Sequence, residues 1–190
     1  MKKHIILALF LALLATGAFA KGIDLGAGML FNWGSRNLEP SSSYTAKENF
    51  GDFGLYGFVG WKYFDIDLGI TFRDYSYSVD GVKSPTILHY FGGQAGFNFK
   101  VPINILWWFR IFPTIGVGLG LGGNSDSTIK DDTTYFDLGA RAGLGADFLV
   151  WRNMFVRGVF QYNFNFTIHP KDAFVYPACF FMKFAVGWLL

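Results

Sequence analysis

The chain has 190 residues, of which 16% are charged and 20% aromatic. Soluble domains carry roughly 25% charged residues, so this one should expose apolar surface to something other than water. Sixteen Lys and Arg stand against fourteen Asp and Glu, and two of the cations, Lys2 and Lys3, lie in the first few residues.

The segment 1–20 reads as a secretory signal peptide. Lys2 and Lys3 precede an apolar run from Ile5 to Leu14, and Ala18, Phe19 and Ala20 form a small-x-small cleavage site. Without it the chain is neutral, which gives no support to a nucleic-acid footprint, since that requires a persistent basic face. Residue 21 is Lys21, so the cleavage site offers no cysteine for a lipid anchor. The single cysteine, Cys179, excludes an intramolecular disulfide and a cysteine-rich metal cluster. The remaining residues, 21–190, are enough for one domain.

Beyond residue 21 no uninterrupted apolar run reaches the ~20 residues of a spanning helix. Period-two alternation takes its place. Phe64, Ile66, Leu68, Ile70 and Phe72 lie on one face, with Asp65, Asp67, Gly69, Thr71 and Arg73 on the other. The pattern recurs from Trp107 and again from Phe136, where Leu138, Ala140, Ala142 and Leu144 oppose Asp137, Gly139, Arg141 and Gly143. Eight strands are expected, near 22–33, 51–62, 64–78, 87–99, 106–121, 134–149, 153–166 and 176–190. Tight joins near Tyr63, 100–105 and 150–152 alternate with longer polar connections at 34–50, 79–86, 122–133 and 167–175.

An even number of antiparallel strands, each about 10 residues long or more, with turns short at one end and long at the other, describes an up-and-down transmembrane β-barrel. Lipid offers no partner to an open sheet edge, so the sheet must close. The rival is a soluble lipocalin-type barrel, apolar inside. Polar faces built from Gly with sparse Asp, Arg and Asn argue against it, as does the lack of a Gly-x-Trp motif. Aromatic girdles are expected at both membrane interfaces, from Trp61, Tyr63, Trp107, Trp151 and Trp188 at the tight-join end and Trp33, Tyr75 and Tyr176 at the loop end.

With its leader, its eight strands and a last strand ending Phe184, Val186, Trp188, Leu190, the chain resembles the small bacterial outer-membrane barrels of the OmpA, OmpX and OmpW kind. The resemblance implies location in the cell outer membrane, contact with its lipid, and handling by the outer-membrane insertion machinery. The terminal Leu190 departs from the aromatic residue usual in that kind. The resemblance transfers no functional residue.

An eight-stranded barrel is just wide enough to be filled by side chains. The inward residues Asp65, Asp67, Arg73, Gln94, Arg110, Asp137, Arg141, Asp147, Arg157 and Lys183, with Asn98, Gln161 and Asn163, are therefore expected to form an internal salt-bridge network. Asp65 and Asp67, two apart on one face, could hold a cation or share a proton, but arginines from neighbouring strands answer them more simply. No cofactor or metal site is expected. The histidines after the leader, His89 and His169, lack the His-x-Ser-Asn spacing of lipid A deacylases, so no catalytic set is expected either. The residues fit a non-enzymatic barrel presenting loops 34–50 and 122–133 to an extracellular ligand. The alternative is a conduit for small hydrophobic solutes, in the OmpW manner, with Pro113 and Pro177 marking weakened strand pairing.

Overall fold

The computed structural model describes residues 22–38, 46–124, 134–168 and 173–190. The expected leader lies outside them. Among the described residues nine strands form: β1 (Asp24–Leu38), β2 (Ala46–Gly60), β3 (Phe64–Val79), β4 (Val82–Lys100), β5 (Ile103–Leu106), β6 (Phe109–Asn124), β7 (Thr134–Trp151), β8 (Met154–Ile168) and β9 (Ala173–Leu189). Each pairs antiparallel with its neighbours, β1 pairs with β9, and β4 pairs with β6. Eight strands thus make a closed wall, and β5 is a short extra piece hydrogen-bonded to β6 below the end of β4.

Closure imposes a stagger. The register from Asp24 passes through Gly60, Asp65, Asn98, Gly116, Arg141, Asn163 and Cys179 and returns to β1 at Gly34, ten residues further along. That shear tilts eight strands by roughly 40° and gives a lumen that side chains can fill. Alternation then sorts the sequence. In β7, Tyr135, Asp137, Gly139 and Arg141 are buried while Phe136, Leu138, Ala140 and Ala142 are exposed. The exposed set on all the walls is aliphatic and aromatic, matching the ~25 Å apolar band of an outer-membrane barrel. The buried set holds the charged and polar residues, with aromatic rings such as Phe58, Phe155 and Phe181 packed among them. A lipocalin would show the reverse.

The connections differ from expectation at several points. Residues 79–86 do not form a loop. Asp80 and Gly81 make a two-residue turn with φ of 49° and 82°, and Val79 pairs with Val82 across it. Both central residues need positive φ in a type I′ hairpin turn, which Asp-Gly supplies at small steric cost. The strict alternation of short and long connections therefore fails at this hairpin. The segment 34–50 is also mostly strand, because Gly34–Leu38 of β1 pairs with Ala46–Phe50 of β2. At 122–133 only 125–133 separates β6 from β7 and lies outside the described residues.

The join placed at 100–105 falls later. Lys100 completes β4, Pro102 lacks a ladder donor, and the chain continues as β5 before turning at Trp107 and Trp108. Arg152, in the β7–β8 turn, also has positive φ, 42°. Around Pro113 the β6–β7 ladder is continuous, Pro113 facing Leu144. Pro177 sits in a bulge, where the β8–β9 register shifts between Asn163 and Asn165.

Candidate functional site: the charged lumen

The interior is stacked in layers. At the tight-turn end Asp24, Asp65 and Asp147 meet Lys100, Arg110 and Arg157. Lys100 Nζ donates to Asp24 (3.0 Å) and Asp65 (2.7 Å). Arg157 donates through Nε to Asp147 (2.7 Å), through Nη2 to Asp24 (2.8 Å) and through Nη1 to Asp65 (3.3 Å). Arg110 Nε donates to Asp147 (2.9 Å), and its Nη2 reaches Asp24 (3.3 Å). Six strands contribute one ion each, so the layer braces the wall across its diameter. The Arg157 guanidinium also lies 4.6 Å from the Phe58 ring and 5.0 Å from that of Phe155, a cation–π setting.

The middle layer is sparser. Lys183 Nζ donates to Asp67 (2.6 Å), as does Asn98 Nδ2 (2.9 Å), and Gln161 Nε2 donates to Asn98 (3.1 Å). Arg141 faces the Phe181 ring at 4.3 Å, and its Nε and Nη1 have no acceptor. Gly118 makes room for it, since a Cβ there would stand 2.2 Å from Arg141 Nη2.

Towards the loop end, Arg73 grips Asp52 with two N–H groups (2.6 and 2.8 Å) and Asp137 with Nη2 (2.6 Å). Asn32 donates to Asp52 (3.0 Å), and Thr167 to Asp137 (2.6 Å). An aromatic cluster of Phe50, Tyr75, Tyr90 and Tyr135 packs beside Cys179 at this level. Arg73 lies 4.7 Å from the Phe50 ring and 4.2 Å from that of Tyr135. Nearer the loops, Arg36 and Glu48 pair at 2.6 Å.

Every member of the expected lumen set points inward. Asp65, Asp67, Arg73, Asp137, Arg141, Asp147, Arg157 and Lys183 are buried, and Gln94 and Arg110 are half-buried. Asp65 and Asp67 do not act together, each being met by its own cation. Sequence reasoning missed Asp24, Glu48, Asp52 and Lys100, all buried. Their phase was readable. Asp24 precedes Leu25 of the outward face, Asp52 precedes Phe53, and Lys100 lies two residues beyond Asn98. With them and Arg36, the partner of Glu48, seven cations face seven carboxylates in the described lumen (Arg36, Arg73, Lys100, Arg110, Arg141, Arg157 and Lys183 against Asp24, Glu48, Asp52, Asp65, Asp67, Asp137 and Asp147).

The girdle expectation needs one correction. Tyr75 is 3% exposed and belongs to the lumen cluster, because it follows Arg73 at the same parity and its hydroxyl accepts from Arg73 Nη1 (3.1 Å). Trp33, Tyr63, Trp107, Trp151 and Trp188 are exposed on the outer surface, and Trp61 is half-buried. The side chain of Tyr176 and all of His169 lie outside the described residues. His89 pairs with Asp74 at 2.6 Å on the outer wall, where both are exposed.

A family model described as "Outer membrane protein beta-barrel domain" matches residues 6–174. No curated protein sequence matches. Among solved structures, Neisserial surface protein A is similar at 11% identity and TM-score 0.52, covering 88% of this chain and 97% of its own. Ail, the attachment invasion locus protein of Yersinia pestis, crystallised with the heparin analogue sucrose octasulfate, is similar at 14% identity and TM-score 0.44, covering 90% and 99%.

Proposed function

The chain belongs to the outer-membrane protein β-barrel domain family and resides in the outer membrane, and from that premise we propose that it is a closed, non-enzymatic barrel whose work is done by its extracellular loops. The observation that supports this reading is the occupied lumen. Ion pairs and aromatic rings fill it from Asp24 at the tight-turn end to Tyr75 at the loop end. Packing of this kind among the described residues supports a lumen without a through-path for solute, which leaves the loops between β1 and β2 and between β6 and β7 to meet the surroundings.

A conduit for hydrophobic solutes would need an apolar upper lumen or a gap in the wall. The upper lumen instead carries Arg73, Asp52 and Asp137, the ladder runs unbroken past Pro113, and at Pro177 it is interrupted by one extra residue before pairing resumes. An epitope inserted within 125–133 should be stained by antibody on intact cells, and loop-exchange variants at 39–45 and 125–133 should lose the surface adhesion that the wild type confers on cells expressing it, while folding normally. Staining only after permeabilisation, or adhesion indifferent to both exchanges, would sink the reading.

A further inference from the structure

Glycines occur on both faces of the wall, for different reasons. Inward Gly122 is demanded by packing, since a Cβ there would stand 2.5 Å from the Tyr135 ring. Outward Gly93 and Gly123 are not so constrained. A Cβ at Gly93 would come no nearer than 3.6 Å to the Gly69 carbonyl oxygen, and one at Gly123 no nearer than 3.9 Å to Thr134. Neither has the positive φ that would require glycine.

These two glycines lie on the β4–β6 seam, Gly93 opposite Leu121 and Gly123 opposite Phe91. Without side chains there, the wall is dished into an open groove of roughly 900 Å³ with Phe91, Leu121, Phe136 and Ile168 on its banks. All four bank residues are exposed and apolar, and no charged side chain lines the groove. It occupies the loop end of the apolar band. On β3 and β4, just beyond Phe72 and Phe91, the exposed Asp74–His89 pair marks where that band gives way to polar surface.

In this family the loop end faces outward, so the groove opens to the outer leaflet. Its banks are continuous with the lipid-facing wall on both sides, so its natural occupant is a lipid chain rather than a protein. We propose that it seats one acyl chain of an outer-leaflet lipid A molecule, whose phosphorylated sugar head lies level with His89 and Thr134. A chain laid over two glycines contacts the backbone and both banks, whereas a chain on the convex wall touches side-chain tips on one side only. Close contact on three sides adds dispersion attraction that the flat wall lacks.

The test is retention of lipid. The barrel would be folded in detergent with diphosphoryl lipid A or, separately, with phosphatidylethanolamine, and weighed by native mass spectrometry. The wild type should keep one lipid A per barrel. Gly93→Leu/Gly123→Leu, which fills the groove, should lose at least tenfold of that adduct. Gly57→Leu, which fills a second apolar groove of about 720 Å³ between Met29, Leu55 and Leu68, away from the β4–β6 seam, should keep it. The proposal is overturned if the wild type holds no lipid A or prefers phosphatidylethanolamine. Equal retention by the filled variant, or an adduct that is a second barrel, also overturns it. A second measurement does not depend on the filled variant folding. In bilayers containing chain-brominated lipid A, Phe136→Trp should be quenched more strongly than Phe180→Trp, at the loop end of the β9 wall away from the groove, against a background in which the native tryptophans are replaced by Phe. Equal quenching contradicts the proposal.

Discussion

The tight-turn layer and the middle layer of the lumen are built from the same residue types and are satisfied very differently. Around Asp24, Asp65 and Asp147 every carboxylate has at least two cationic partners, and no buried side-chain atom of that layer lacks a hydrogen bond among the described residues. In the middle layer Tyr56, Asp67, Gln94, Arg141, Gln161 and Asn163 all carry unpartnered atoms. Buried polar groups cost free energy unless they are paired. The contrast teaches that charge balance over the whole lumen does not ensure local pairing. One layer clamps six strands together, while the other relies on Asp67–Lys183 and on the rings of Tyr56 and Phe181.

The difference can be broken from either side. The largest effect should come from Arg157→Met, which strips three carboxylates of a shared partner. Removing one member of a buried ion network costs about 3–5 kcal/mol, and urea unfolding of the barrel in lipid or detergent would read it. A cost below that of a surface substitution would show that the layer does not brace the wall. A smaller loss, about 2 kcal/mol, is expected for Thr167→Val, which deletes one hydrogen bond to the Asp137 carboxylate while leaving the Arg73–Asp137 pair in place. The smallest change is expected for Arg141→Met, because among the described residues the Nε and Nη1 of that guanidinium make no hydrogen bond and its removal relieves a buried charge. If Arg141→Met destabilised the protein as much as Arg157→Met, the two layers would be energetically alike and the comparison would fail.

Much of the fold is legible in the sequence because a closed barrel in lipid enforces one rule on every strand. Outward positions must be apolar, so runs such as Phe64 to Phe72 reveal the phase directly, and the inward partners follow. The misreadings came where a second signal competed with phase. Tyr75 looked like a girdle residue by composition and position, but it shares parity with Arg73 and therefore points inward. Asp80-Gly81 was absorbed into a polar stretch, although that dipeptide between two runs is a strong hairpin signal. Lys100 falls within the join expected at 100–105, yet the strand continues through it. Which ions meet across the lumen was not legible. Asp24 and Arg157 are 133 residues apart, and only the ten-residue stagger of the closed sheet brings them to one level.

The claim that the lumen is closed is tested most directly by single-channel recording in a planar bilayer, on protein shown to be folded by heat-dependent gel migration. The wild type should give no discrete conductance steps. Steps in the wild type whose size changes with Arg110→Ser or Asp137→Ser would contradict the account and make transport through the lumen the function.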